Sequence, residues 1–277
     1  MKKKNKASKI DFTNEQLPST RYEVFVDCLK IKKTVLARLG LRLMLFCLPI
    51  IISTMIMDIS VSGLQEQYLK GEVEINAVYS TINMFNLINV LLWGLVGVGC
   101  AGCFRVIRRL IWQEPIFINS DFFDGIKLNW KSFFLIFASA GFAVFASTSV
   151  SIAGNGASTI QYLSIFTSII FLIPVLVIMT GLYNVYNITF KEALYNGLII
   201  YVKNLFANLL MTLIIVAIFA LLVISGALKY LLLFIVPLFI VPILILGIHL
   251  YLCYLFDIYI NKKSYPEYVD KGIHRRK

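Results

Sequence analysis

The sequence predicts an all-α fold, a polytopic bundle of six transmembrane helices. Three observations predict it: an apolar composition, six long apolar runs and a one-sided distribution of Lys and Arg. Of the 277 residues, 59% are hydrophobic and 15% are charged, and the mean hydropathy is +0.81. Soluble domains average about 45–50% apolar and about 25% charged residues. The composition therefore argues against a soluble enzyme or nucleic-acid-binding domain, although the formal net charge is +11.

Six apolar runs are long enough to cross a bilayer, which takes about 20 mostly apolar residues in a helix. They cover residues 39–58, 82–104, 132–153, 160–183, 205–225 and 230–256. Each run must be helical, because lipid offers no partner to a free backbone N–H or C=O group. Pro174 in the fourth run, and Pro237 and Pro242 in the sixth, predict that these two helices are bent.

Lys and Arg are distributed unevenly between the segments that separate these runs. Of the 26 Lys and Arg residues, only Lys70 and Lys229 lie on the side opposite the termini. Because positively charged loops stay on the cytoplasmic side, we expect a multi-pass protein of the cell membrane with both termini in the cytoplasm. Residues 59–81 make the only sizeable loop that we expect on the outer side.

The chain divides into three regions on this interpretation. A basic cytoplasmic segment with an amphipathic helix occupies residues 1–38, the membrane domain occupies 39–256, and a basic cytoplasmic tail occupies 257–277. The first segment contains a cluster of five lysines: Lys2, Lys3, Lys4, Lys6 and Lys9. These lysines can bind anionic lipid headgroups and also serve as a determinant of topology, and the two roles are compatible.

Short capping signals precede three of the spans. Thr20 with Glu23, and Thr189 with Glu192, have the spacing of a capping box, in which Thr caps the backbone and Glu reaches back. Ser120 is the corresponding cap before the third span. The chain can therefore be interpreted as three copies of one unit, a capped cytoplasmic helix followed by a hairpin of two spans. The alternative is that any helix entering a membrane needs a cap, and such short signals recur by chance.

Polar side chains inside the spans are few, and each has two interpretations. Asn83, Asn86 and Asn89 recur every third residue and share one broad helical face. That face either lines a polar path for a solute or hydrogen-bonds to neighbouring helices, and the second role is the commoner one. His249 is the only His within a span. It is either a functional ionisable group or a neutral imidazole bonded to another helix.

Cysteines 100 and 103 form a C-x-x-C pattern near the end of the second span. Cys100 and Cys103 lie beside Gly97, Gly99 and Gly102. No second cysteine pair or histidine cluster completes a zinc site, whereas a row of small residues is typical of close helix packing. We therefore favour packing, and we expect no catalytic residue, no metal and no cofactor.

Spans two and three also carry a family pattern. Asn89-Val-Leu-Leu-Trp93 is followed by Gly99-Cys-Ala101, by the basic helix end Arg105-Val-Ile-Arg-Arg-Leu110, and by Asp121-Phe-Phe-Asp-Gly-Ile-Lys127 with Asn129-Trp-Lys131. This pattern resembles the YesL-like family of bacterial integral membrane proteins, a domain of unknown function, over residues 83–210. The Pro and Thr that the family carries between the Trp and the Gly-x-Ala are missing. The resemblance implies an accessory or regulatory role beside carbohydrate uptake systems and sensor kinases.

The resemblance further implies a cytoplasmic element that contains Asp121, Phe122, Lys127 and Lys131. One interpretation is that this element docks a partner protein. The physical alternative is that Phe122 and Trp130 lie among the lipid headgroups while Lys127 and Lys131 face their phosphates.

Together these observations predict a non-enzymatic accessory or regulatory partner of a carbohydrate transport or sensing system. The expected partners are anionic lipids and a transporter permease or sensor kinase, and nucleic acid is not expected. A small solute transporter or channel is the alternative, since the Asn face, His249 and bent helices could line a cavity. An intramembrane enzyme ranks third, because one His without a nearby carboxylate is a poor start for catalysis.

Overall fold

The structure is a computed structural model that describes residues 18–153, 158–223 and 226–273. The lysine cluster at the N-terminus and the last four residues lie outside the described residues. Within the described ranges every regular element is a helix, and none is a strand. Five helices are long and apolar enough to cross a membrane, or six if one sharply bent pair counts as a single span. The all-α, polytopic fold is confirmed.

The first half of the chain consists of a short helix and three very long ones. These are α1 (Arg21–Ile31), α2 (Lys33–Leu69), α3 (Ile75–Ile111) and α4 (Ile118–Ala153). α2 and α3 have 37 residues each, which makes each about 55 Å long at a rise of 1.5 Å per residue. The hydrocarbon core of a bilayer is only about 30 Å thick.

The segment predicted as a loop at 59–81 is mostly helical, because α2 and α3 continue through it as a helical hairpin. Only residues 70–74 connect the two helices, and the turn contains Gly71 with φ +75°. The residues that extend α2 past its apolar run include Leu, Gln and Glu, which favour helix even in water. The change from apolar to polar composition therefore marked the edge of the predicted span and not the end of the helix.

The second half of the chain is built from shorter helices joined by irregular turns. α5 (Ser158–Thr167) and α6 (Ile173–Val185) flank a π-helical turn, and α9 (Ala227–Ile235) and α10 (Val241–Phe256) flank another. Pro174 follows the first π turn, Pro237 lies in the second, and Pro242 follows it. Proline cannot donate the regular helical hydrogen bond, so these turns occur where the sequence predicts irregularity.

α7 (Phe190–Lys203) and α8 (Leu205–Ala220) meet at an angle of 104°. If α8 is part of the fifth span, α7 must run nearly along the membrane surface. The three predicted repeat units are therefore not alike. The approach helix α1 is separated from its span at Lys32, the second approach is continuous with its span in α4, and the third turns through a right angle.

α3 lies at the centre of the bundle and packs against α2, α4, α6 and α10. A Cβ atom on Gly97 would lie 2.5 Å from the carbonyl oxygen of Phe133, and one on Gly102 would lie 2.6 Å from the Phe122 ring. Glycine at these positions lets the neighbouring helix approach closely. Cys100 and Cys103, on the same helix, are free and buried thiols, as the packing interpretation requires.

Candidate functional site

Most of the hydrogen bonds and ion pairs between elements that are distant in the sequence lie at one end of the bundle, which we call the basic end. It comprises the starts of α1, α2 and α4, the ends of α3 and α6, and α10 with the segment that follows it. The other end, called the hairpin end, comprises the α2–α3 hairpin and the start of α9. Among the described residues, five arginines of the basic end contact neighbouring elements: Arg21, Arg42, Arg105, Arg108 and Arg109.

Arg108 ties the end of α6 to α3. Its guanidinium donates to the backbone carbonyl of Asn184 and lies 4.8 Å from the centre of the Trp112 ring. A second hydrogen bond joins the same two helices, since Asn184 Nδ2 of α6 donates to the carbonyl of Phe104 of α3 at 3.0 Å. α3 and α6 therefore hold each other through backbone carbonyls, which are fixed in position by the helices that carry them.

The C-terminal segment folds back onto the loop after α3. α10 continues through a π turn at Asp257–Asn261 into α11 (Lys262–Ser264). Beyond it, Lys271 Nζ lies 2.9 Å from a Glu114 carboxylate oxygen and 4.0 Å from the centre of the Trp112 ring. A Cβ on Gly272 would lie 2.0 Å from the carbonyl oxygen of Ile111, and Gly272 has φ +84°. The described part of the predicted basic tail is thus a docked segment.

Asp257 organises this end of the bundle. Its carboxylate is buried and accepts bonds from the Arg21 guanidinium, from Asn261 Nδ2 at 2.7 Å and from the backbone N–H of Asp270 at 3.3 Å. Tyr186 then donates to Asn261 Oδ1 at 2.5 Å. Burial raises the pKa of Tyr186, which keeps its hydroxyl a donor. Asp257 therefore joins α1, α6, α10 and the C-terminal segment.

Two of the predicted docking residues are buried, so their assignment to a contact surface is wrong. Asp121 is 2% exposed and Phe122 is 1% exposed. One Asp121 oxygen lies 2.7 Å from Arg109 Nη1, and the other accepts from the backbone N–H of Phe117 at 2.8 Å, which caps the start of α4. Phe122 fills the space above Gly102. The Asp-Phe-Phe segment serves helix capping and packing.

The remaining members of that predicted set are on the surface. Lys127, Trp130 and Lys131 are exposed, and Lys131 Nζ lies 5.6 Å from the centre of the Trp130 ring. Phe123 is also exposed and lies four residues before Lys127. The spacing places these side chains on one face of α4. We call Phe123, Lys127, Trp130 and Lys131 the α4 surface.

The capping predictions have mixed outcomes. Thr189 and Glu192 form a complete capping box at the start of α7. Thr20 caps α1 by accepting from the N–H of Glu23, but the Glu23 carboxylate accepts from the N–H and hydroxyl of Ser19.

Ser120 is not a cap. α4 already begins at Ile118, and the Ser120 hydroxyl donates to the carbonyl of Phe117. Its predicted capping role passes to Asp121, since a carboxylate at this position can reach back to the free N–H.

The asparagine face of α3 does not form one polar path. Asn83 Oδ1 accepts from the Ser149 hydroxyl of α4 at 3.1 Å, whereas Asn89 Oδ1 accepts from the Ser53 hydroxyl of α2 at 2.7 Å. Asn86 lies between them and is half-buried. The two bonded amides therefore join α3 to different neighbours, which is how interhelical hydrogen bonding uses such residues.

His249 is fully buried between α10 and α6. Its Nε2 lies 3.5 Å from Asn184 Nδ2, and its ring meets the Phe104 ring at 90° with 5.8 Å between the centroids. Within the described residues, neither His249 Nδ1 nor Asn184 Oδ1 has a hydrogen-bond partner. Two orphaned polar atoms thus lie on facing helices in the interior, where leaving them unpaired costs free energy.

A third polar group, which the sequence did not single out, stabilises the bend between α7 and α8. Asn208 is fully buried, and its Nδ2 donates to the carbonyls of Ile200 and Tyr201 at 3.3 and 3.2 Å. Its Oδ1 accepts from the Tyr251 hydroxyl at 3.0 Å. Both carbonyls also accept from the backbone N–H of Asn204, so Asn208 adds a second donor at the end of α7 and connects it to Tyr251 of α10. The sequence signal that could have identified this residue is an Asn within the apolar run 205–225.

Among the described residues of the basic end, two grooves have charged linings. One has a volume of about 670 Å³ and lies between α1 and α10, beside Arg21 and Asp257. The other has a volume of about 600 Å³ and lies between α2 and the start of α4, beside Arg38 and Arg42. In the part of the chain that the structure describes, no group of three or more His, Cys, Asp or Glu side chains is arranged to hold a metal ion.

The fold and this distribution of polar contacts define the class as a helical membrane protein with a structured basic end. Comparison with known proteins adds no relative: no family model, no curated protein and no solved structure matches the chain.

Proposed function

We propose that this chain is a non-enzymatic accessory or regulatory partner of another membrane protein, in a transport or sensing system. The observation that carries the proposal is the use of polar side chains within the spans. Asn83, Asn89 and Asn208 are all engaged in contacts between or within helices. A solute path needs polar groups that face a shared space, and these groups face different neighbours.

The basic end supports the same proposal. It is fixed by contacts between elements that are distant in sequence, from α1 through Asp257 to the loop after α3. A fixed surface loses little entropy on binding, which favours association with a partner. The α4 surface belongs to this end and combines two exposed aromatic rings with two lysines, a composition suited to an acidic segment of a permease or kinase.

The test is a pull-down of the full-length protein from native membranes in mild detergent, followed by quantitative mass spectrometry. We expect a transporter permease or sensor kinase in the eluate. The variant Lys127→Glu/Lys131→Glu should lower its recovery by about tenfold or more, since like charges across an interface cost several kcal/mol.

The control variant is Lys30→Glu/Lys191→Glu, which makes the same charge change at two exposed lysines away from the α4 surface. Its recovery of the partner should match that of the wild type. A protein that purifies alone and moves a solute in proteoliposomes would overturn the proposal.

A small solute transporter is the second candidate function, and the His249–Asn184 pair is the observation that favours it. The two orphaned atoms of this pair could contact a polar solute or a water molecule in a transient cavity between α6 and α10. Solute flux that is lost in a His249→Phe variant with unchanged thermal stability would favour transport over the accessory role. Absence of flux in both proteins would disfavour it.

A further inference from the structure

The groove beside Arg38 and Arg42 has the composition of a binding site for a charged amphiphile. Its walls come from α2 and from the segment that leads into α4, and it has a volume of about 600 Å³. The lining contains two guanidinium groups, one carboxamide from Asn119 and several aliphatic side chains, and it contains no carboxylate. The groove is therefore positive and is not neutralised by its own walls.

The groove spans the level at which lipid headgroups meet the acyl chains. Arg38 lies just before the first apolar run of the sequence and Arg42 lies within its first turns. Leu41 and Leu45 line the same groove and are 60% and 66% exposed. An occupant at this depth meets positive charge at one end of the groove and aliphatic surface at the other.

The polar half of the groove is organised in advance. Arg42 Nη1 donates to the carbonyl of Arg38 at 2.9 Å, and Arg42 Nη2 donates to Asn119 Oδ1. Because the Asn119 oxygen is used in this bond, its Nδ2 remains as a further donor. Among the described residues, none forms a side-chain hydrogen bond or ion pair with the Arg38 guanidinium. Planar guanidinium groups with free N–H donors match the oxygens of a phosphate.

We propose that this groove binds one anionic phospholipid, with its phosphate between Arg38 and Arg42 and an acyl chain along Leu41 and Leu45. The charge of the lining selects an anionic occupant. The exposed leucines favour an occupant with a hydrocarbon chain, because a free phosphate has no apolar group to contact them. The lipid would join α2 to the start of α4. The proposal is independent of the accessory role, and it differs from the diffuse attraction of exposed lysines because it predicts a single occupant.

The experiment is native mass spectrometry of the full-length protein in mild detergent, with phosphatidylglycerol or phosphatidylcholine added. We expect one phosphatidylglycerol to remain bound under conditions that remove phosphatidylcholine. Arg38→Gln/Arg42→Gln should lower the bound fraction by about tenfold or more, because it removes both positive charges that face the phosphate. Arg38→Lys/Arg42→Lys keeps the charge but loses the planar donor geometry, and it should show an intermediate loss.

Two controls separate a site from general charge and from free phosphate. Lys30→Gln/Lys191→Gln removes two exposed positive charges elsewhere and should leave the bound fraction unchanged. Inorganic phosphate at millimolar concentration should not displace the lipid. The proposal would be overturned if Lys30→Gln/Lys191→Gln lost as much lipid as Arg38→Gln/Arg42→Gln, or if Arg38→Gln/Arg42→Gln bound the lipid fully. It would also be overturned if phosphatidylcholine were retained equally or if inorganic phosphate displaced the lipid. If Arg38→Gln/Arg42→Gln loses helicity, the test rests on Arg38→Lys/Arg42→Lys, and unchanged lipid binding by that variant would overturn the proposal as well.

Discussion

The two ends of the bundle are held together in different ways. At the basic end, α1, α3, α6, α10 and the C-terminal segment are joined by a chain of contacts through Asp257, Asn184 and Trp112. At the hairpin end, Lys229 Nζ lies 2.6 Å from Asp58 and the Tyr230 hydroxyl donates to the same carboxylate at 3.3 Å. Beyond this pair the α2–α3 hairpin is largely exposed.

This difference shows where the fold fixes the positions of its helices. Apolar packing along the spans brings helices together with little directional preference. The basic end adds hydrogen bonds with defined geometry, and it adds them between elements that are far apart in the chain. Changes at the basic end should therefore be costly, and comparable changes at the hairpin end should be tolerated.

The largest effect is expected for Asp257→Ala. Removing this carboxylate leaves Arg21 largely buried without its counter-charge, and breaking a buried ion pair costs about 3–5 kcal/mol. The midpoint of thermal denaturation in detergent should fall markedly. The double variant Arg21→Leu/Asp257→Leu should recover much of the loss, because it leaves no uncompensated charge. A midpoint equal to that of the wild type in Asp257→Ala would show that the network does not hold the basic end.

A matched pair of glycine substitutions gives the next largest difference. Gly272→Ala combines a positive φ with a contact of 2.0 Å to the Ile111 carbonyl oxygen, whereas Gly71 in the hairpin has a positive φ and open space. The left-handed conformation alone costs about 1–2 kcal/mol for a residue with a Cβ. Limited proteolysis should therefore cleave the C-terminal segment much faster in Gly272→Ala and should change little in Gly71→Ala. Equal cleavage in both variants would contradict the docked segment.

The sequence could predict the class of fold because that information is local. Apolar runs, prolines within them and the Thr189–Glu192 spacing each act within one helix, and the structure has helices, π turns and a capping box at those places. The length of α2 and α3 was missed, because helix formation continues in residues too polar for a span.

The candidate site could be predicted only in part, because its contacts are not local. Arg21 and Asp257 are 236 residues apart, and no periodicity connects them. Asp121 and Phe122 have the residue types of a docking motif, yet they are buried by Arg109 and Gly102, which lie on another helix. Exposed Lys127 and buried Asp121 cannot be told apart by residue type alone.

A smaller effect is expected at the hairpin end for Asp58→Ala. Side chains of Asp58 and Lys229 are 24% and 20% exposed, and the long Lys229 side chain can turn its ammonium group to water when its partner is removed. An ion pair near water contributes about 0–1 kcal/mol. The thermal midpoint should shift far less than in Asp257→Ala. A comparable shift in the two variants would mean that both ends fix the bundle equally.

The smallest effect concerns pH and the start of α7. Hydrogen bonds from the backbone N–H and the hydroxyl of Thr189 hold the pKa of the Glu192 carboxyl below its usual range. The folded protein therefore releases this proton more readily than the unfolded chain. The resulting stabilisation is present above the unfolded pKa, which is about 4.3, and is lost as the pH falls through the folded value.

Amide hydrogen exchange in the first turn of α7 should therefore become faster, relative to its intrinsic rate, as the pH is lowered from about 6, past the unfolded carboxyl pKa of about 4.3, to below the lowered folded pKa of Glu192. Glu192→Gln should remove this pH dependence because its amide cannot titrate in this range. Glu66→Gln, in the exposed hairpin, should leave the dependence at α7 intact and serves as the control. Because the box lies on the surface, the change should stay confined to this turn. A pH dependence that persists in Glu192→Gln would assign the change to other carboxyl groups of the basic end.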